Sequence, residues 1–245
     1  MILSWHKKKK IGIALGGGGV RGLAHLPILS VLDELSIVPY CVAGTSMGAI
    51  IGVLYCSGVK AETIRKELLA EGTRKLNFPG LNEMQDFLKW VQFIKPGIDG
   101  RSLFRADKFI DYLFERIKLL KFEELKIPLK VVAADFWKRE EVVLEHGNLP
   151  EAIKASMAVP GIFAPVQLEG RLLVDGGIVN PVPWDILPGE CDIRIAVEVT
   201  GKRTSLCGKP SIPDIIFNSF EAIEHSLNKT KYRLNPPDIY IAPEL

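Results

Sequence analysis

The sequence predicts an α/β fold of three layers, a mostly parallel central sheet between two sets of helices. Three observations carry that expectation. Short apolar runs alternate with segments of helical period, the order required by parallel strands joined through crossover helices. Glycine clusters stand where the first two runs end, at Gly16-Gly17-Gly18-Gly19 and at Gly44-Thr45-Ser46-Met47-Gly48. A chain of 245 residues, 47% hydrophobic and 24% charged, buries a sizeable core and is not disordered.

The elements follow in order. Residues 1–10 read as a basic tail ending in Lys7-Lys8-Lys9-Lys10, and 11–245 as a single domain. Ile11-Gly12-Ile13-Ala14-Leu15 is a buried strand by its unbroken apolar character, and the spacing over 23–35 predicts a helix with Pro27 near its first turn. A second strand at 41–44 leads into a helix over 47–56. Further helices are expected at 61–71, 106–120, 151–157 and 212–227, and further strands at 129–134, 141–145, 172–174, 193–199 and 239–242. The least regular portion is 77–104, punctuated by Pro79-Gly80, Pro96-Gly97 and Asp99-Gly100. Within it Phe87, Trp90, Phe93 and Ile94 predict an amphipathic helix over 83–95, either packed on the core or acting as a flap over an acyl-binding cleft. Residues 201–213 read as a loop, and no internal repeat is visible.

Composition narrows the function. A formal net charge of +2 does not indicate a nucleic-acid partner. Cys41, Cys56, Cys191 and Cys207 lack the paired spacing of a zinc site and lie in or near apolar stretches, which predicts buried free thiols and a reducing, cytoplasmic setting. The lysine run follows the short apolar start instead of preceding it, the wrong order for a secretory signal, and no apolar run spans a bilayer. That run and the Phe87-Trp90-Phe93-Ile94 stripe together predict transient, salt-sensitive association with an anionic membrane surface. No metal or organic cofactor is expected, for want of an H-E-x-x-H pair, a Cys/His ligand set or an EF-hand loop.

Three motifs carry chemistry. Ser46 lies in a G-x-S-x-G pattern between an apolar run and a helical segment. That is the strand, sharp turn and helix of a nucleophile elbow, with the helix N-terminus favouring negative charge beside the hydroxyl. Gly16-Gly17-Gly18-Gly19-Val20-Arg21-Gly22 follows the first strand, and its consecutive glycines expose backbone N–H groups to an anion. A dinucleotide site reads poorly, because Asp33-Glu34 falls inside a helix and not at a strand end. A Walker loop fails because no Gly-Lys-Ser/Thr closes the glycines. Followed by an elbow, the loop is best explained as an oxyanion hole. Asp175-Gly176-Gly177 ends the strand at 172–174 and supplies a base at a strand's C-terminal edge.

In this order the three motifs resemble those of the patatin-like phospholipases, and Ala155-Ser156-Met157-Ala158-Val159-Pro160-Gly161-Ile162-Phe163-Ala164-Pro165 resembles the family's block between elbow and aspartate. The resemblance covers roughly 11–199. It implies the patatin-like α/β/α fold and a Ser–Asp dyad without histidine, Ser46 as nucleophile and Asp175 as proton acceptor, with the N–H groups of Gly17, Gly18 and Gly19 holding the oxyanion. Gly16, Gly22, Gly44, Gly48, Gly176 and Gly177 complete the motifs, and Arg21 either shapes the loop, holds an anionic head group or forms a salt bridge. His25 reads as a buried brace for the glycine loop. His146 precedes Asp175, which reverses the Ser-Asp-His order of α/β-hydrolases, and His6 and His225 occupy terminal and helix-surface positions. The expected activity is hydrolysis of lipid or related carboxylic esters through an acyl-enzyme. The alternative, a catalytically weak lipid-binding or regulatory protein, would carry a damaged motif, and all three are intact.

Overall fold

The computed structural model describes residues 9–67, 107–201 and 212–244. The expected tail up to Lys8, the segment 77–104 with its amphipathic helix, and most of the 201–213 loop lie outside them, and the helix from 61 is described to residue 67. The strands are β1 (Ile11–Leu15), β2 (Cys41–Thr45), β3 (Leu129–Asp135), β4 (Glu140–Leu144), β5 (Val166–Leu168), β6 (Arg171–Asp175), β7 (Ile193–Val197) and β8 (Ile239–Ile241). The longer helices are α1 (His25–Glu34), α2 (Met47–Cys56), α3 (Asp107–Ile117), α4 (Leu149–Ser156) and α5 (Ile212–Leu234).

All eight strands form one sheet in the order β5-β6-β3-β2-β1-β7-β8, with β4 also paired to β3. The five neighbours β3, β2, β1, β7 and β8 are parallel, whereas β4, β5 and β6 pair antiparallel. The antiparallel flank follows from chain length: residues 136–139 and Glu169-Gly170 are too short to be crossovers and form hairpin turns.

Alternation along the strands separates two apolar layers. Ile13, Leu15 and Val42 join a large cluster with Leu29, Ile50, Ile110 and Ile153 from α1 to α4. Ala14, Cys41, Ala43 and Ala196 face the other way, towards Trp184, Val182 and Leu187. Small residues suit that second face because Trp184 fills it. The Trp184 indole N–H donates to the Asn235 carbonyl at 2.7 Å, and the Lys231 ammonium of α5 sits 4.0 Å from its ring. Every residue of α2 is buried, so this helix is internal and its N-terminus is fixed against the sheet.

Several boundaries differ from the sequence expectation. A 3-10 stretch, Gly19–Ala24, winds the glycine loop into α1, which starts at His25. α5 continues to Leu234, because Asn228 and Lys231 find partners beneath it. β5 is too short to declare a period.

The register on β3 positions the site. β2 pairs with Leu129 to Val132 and β6 with Ala133 to Asp135, while β4 pairs with Val131 to Asp135. A strand has two edges, so β2 and β6 share the edge opposite β4 and meet end to end. Thr45 lies opposite Val132 and Asp175 opposite Ala133. Among the described residues no helix is long and apolar enough to cross a membrane.

Candidate active site

Ser46 occupies the single residue between β2 and α2, at φ 53 and ψ −119, a region that non-glycine residues rarely adopt. The surroundings hold it there. Its N–H donates to the Ser156 hydroxyl at 2.9 Å, its carbonyl accepts from Ala49 at 3.0 Å, and the preceding Thr45 hydroxyl donates to the Asn180 carbonyl at 2.8 Å. A Cβ on Gly48 would overlap the Leu15 carbonyl oxygen, so glycine is what lets the turn pack directly on the end of β1. A Cβ on Gly22, Gly44 or Gly176 would likewise overlap Met47, Ala49 or Val132.

The glycine loop is pinned on one side and open on the other. Gly16 donates to the Val197 carbonyl and Gly17 to the Pro181 carbonyl, each at 3.0 Å. His25, fully buried, contacts the Gly16 carbonyl through Nε2 at 2.9 Å. Burial pushes its imidazole down to about 4 against the opposing effect of that bond, so the neutral ring donates to Gly16 and braces the loop. At Gly18 the chain turns with φ 151, and the N–H groups of Gly18 and Gly19 donate to no protein acceptor among the described residues. Of the three expected donors, Gly17 therefore differs: its N–H is committed to Pro181, a partner distant in sequence. What Gly17 offers is closeness, since a Cβ there would stand 3.5 Å from the Ser46 Cβ.

Asp175 ends β6 and is fully buried. Its N–H donates to the Ala158 carbonyl at 2.9 Å, and its Oδ1 accepts from Gly177 at 2.7 Å, leaving Oδ2 without a hydrogen bond. Burial raises the carboxyl to about 7; the Gly177 N–H and the nearby Ser46 hydroxyl pull the other way. The Ser46 hydroxyl thus stands close enough to the Asp175 carboxyl to favour its ionised form.

Other expected residues fall elsewhere. The Arg21 guanidinium pairs with Glu221 and donates to the Thr200 carbonyl, which leaves it a structural clamp between the loop and α5. His146 is exposed, with Glu123 at 3.8 Å and Glu145 at 3.9 Å as its charged neighbours, and His225 is exposed on α5. Neither completes a triad.

Glu224 escaped the sequence reading. It is 2% exposed, and its Oε1 fills the niche left by two missing side chains: a Cβ on Gly177 would overlap it, and one on Gly17 would stand 3.1 Å away. Burial first, then Asp175 and Glu221, raise its carboxyl well above the ordinary range, opposed by Arg21. The available signal was spacing. Glu221, Glu224, Asn228 and Lys231 form one polar stripe along α5.

The family model for patatin-like phospholipase matches residues 13–188. Uncharacterized NTE family proteins of Mycobacterium tuberculosis and Mycobacterium bovis are 33% identical over 195 residues, 79% of this chain and 50% of theirs. Neuropathy target esterase sws of Drosophila melanogaster is 29% identical over 189 residues, 76% of this chain and 12% of that protein. The chain spans about half the length of the mycobacterial relatives. Among solved structures, VipD from Legionella pneumophila superposes with a TM-score of 0.50 at 15% identity, covering 98% of this chain and 62% of that one, a likeness of fold. Since the matched span holds the glycine loop, the Ser46 turn and Asp175-Gly176-Gly177 together, the chain belongs to the patatin-like phospholipase family.

Proposed function

We propose that the protein is a serine acyl hydrolase of lipid or related carboxylic esters, working through a Ser46–Asp175 dyad. The observation that carries this is the unpartnered Oδ2 of a buried Asp175 beside the Ser46 hydroxyl, on a carboxyl raised to about 7. A base poised near neutral pH accepts a proton without being permanently protonated. Ser46 Oγ attacks the ester carbonyl as its proton passes to Asp175. The tetrahedral oxyanion is held by the N–H groups of Gly18 and Gly19, whose turn leaves them open. Collapse releases the alcohol, which takes the proton back from Asp175 and leaves an acyl ester on Ser46. Asp175 then deprotonates a water, whose attack frees the carboxylic acid and restores the serine.

Lipid as the substrate class is supported by family membership and by the neuropathy target esterase among the relatives. A fluorophosphonate probe tests the reading: it should label Ser46 alone, with labelling and turnover of a short-chain nitrophenyl ester both lost in Ser46→Ala at an unchanged melting temperature. Labelling at another serine, or turnover surviving in the variant, overturns it.

A further inference from the structure

The turn between β3 and β4, Phe136-Trp137-Lys138-Arg139, is the most exposed aromatic feature among the described residues. Trp137 is 74% exposed and Phe136 45% exposed, with ring centroids 4.9 Å apart in an edge-to-face pair. The turn beneath them is well braced. Asp135, itself buried, accepts from the N–H groups of Trp137 and Lys138 at 3.0 Å through Oδ1, its carbonyl accepts from Arg139 at 2.8 Å, and Phe136 donates to the Leu172 carbonyl at 2.8 Å. The fold therefore presents two aromatic rings to solvent on a preorganised support, which gives up little conformational entropy on docking.

Position adds to this. β3 runs parallel to β2 and passes it: Thr45 pairs with Val132, and the tip begins at Phe136. At about 3.3 Å per residue the rings stand roughly 10–13 Å beyond the level of Ser46, on the sheet edge that carries the glycine loop. Lys138 and Arg139 follow the rings directly, and the exposed Arg171 starts the adjoining strand. Glu140, Glu141 and Glu169 are the exposed acidic neighbours; all three lie outside the four-residue turn, and Glu141 accepts from the Asn180 amide at 3.1 Å, so Lys138 and Arg139 are the charges carried by the tip itself.

We propose that this turn is an interfacial anchor for an anionic bilayer. Phe136 and Trp137 enter the head-group region, Lys138, Arg139 and Arg171 meet lipid phosphates, and the edge bearing Ser46 faces the membrane. Aromatic side chains, tryptophan above all, favour the membrane–water boundary, and adjacent cations are drawn to its negative surface. The benefit to catalysis rests on the lipid-hydrolase reading; the docking does not.

The test uses the Ser46→Ala protein, which should leave vesicles intact. Co-sedimentation is measured with phosphatidylglycerol/phosphatidylcholine vesicles and with phosphatidylcholine alone. Binding should favour the anionic vesicles, fall about tenfold with Phe136→Ala/Trp137→Ala, and fall several-fold with Lys138→Glu/Arg139→Glu. Tryptophan emission should shift to the blue on binding, and this shift should be lost in Trp137→Phe. In the active protein the same tip variants should hydrolyse a soluble short-chain ester at the parental rate, with unchanged melting. Vesicle binding indifferent to the tip variants, absence of binding at low salt, or a tip-dependent change of oligomeric state in place of lipid binding would each overturn the anchor. Absence of soluble-ester turnover in the unmodified protein, with tip-dependent vesicle binding intact, would overturn the hydrolase reading alone.

Discussion

At Asp175 the proposed catalytic role and stability pull in opposite directions. Its folded-state carboxyl lies near 7 against an ordinary 3.8, so folding favours the protonated form. The stabilisation from that preference is complete below about pH 4 and is lost as pH rises to 7, at about 1.4 kcal/mol for each pH unit. Above pH 7 the protein carries a buried carboxylate whose cost is on the order of 4 kcal/mol. On the proposed mechanism the same ionisation generates the base, so kcat/KM for a soluble ester should rise about tenfold per pH unit and level off near pH 7. Asp175→Asn should abolish turnover yet melt at or above the parent at pH 8, with a flatter dependence of stability on pH between about 4 and 8. Parental activity in the variant, or a melting temperature below the parent's at pH 8, would contradict the assignment. Ser46 and Asp175 were legible in the sequence because each sits in a local pattern whose backbone geometry glycine dictates. Which glycine N–H groups stay open was legible only in part: the tie between Gly17 and Pro181 is made by tertiary structure, and no property of consecutive glycines signals it.

Among the elements, α5 carries the least expected design. A helical wheel assigns Glu221, Glu224, Asn228 and Lys231 to solvent, yet the stripe faces inward. Glu221 meets Arg21, Glu224 enters the Gly17–Gly177 niche, Asn228 donates to Glu198 at 3.1 Å, and Lys231 reaches the Val182 carbonyl at 2.5 Å and Asp185 at 2.6 Å. The helix is docked on both site loops by polar contacts, which hydrophobic periodicity does not detect. Adding a methyl group at Gly177 would drive into Glu224 and crowd the Phe220 ring. Gly177→Ala should therefore cost about 1–3 kcal/mol and lower activity. Combined with Glu224→Ala the loss should be clearly less than additive in a double-mutant cycle by chemical denaturation. Strict additivity would mean that the two residues do not contact.

Over the whole molecule, the alternation of apolar runs and helical segments made the layered α/β fold readable, since that pattern is written locally. The head-to-head meeting of β2 and β6 was not, because it depends on how short turns and one shared edge of β3 combine. That arrangement also fixes when the protein becomes competent. Ser46 follows β2 and Asp175 ends β6, two strands that never pair with each other, and the bond locking their neighbours, Thr45 to Asn180, closes across 135 residues of sequence. The two come together only once β2 and β6 are both seated on β3, so the site depends on pairings between segments distant in sequence, which close slowly. On dilution from denaturant, ester turnover should reappear after the far-ultraviolet circular dichroism has recovered, and never ahead of it. Measured side by side, the two signals would turn the proposed ester turnover into a clock for the last step of folding.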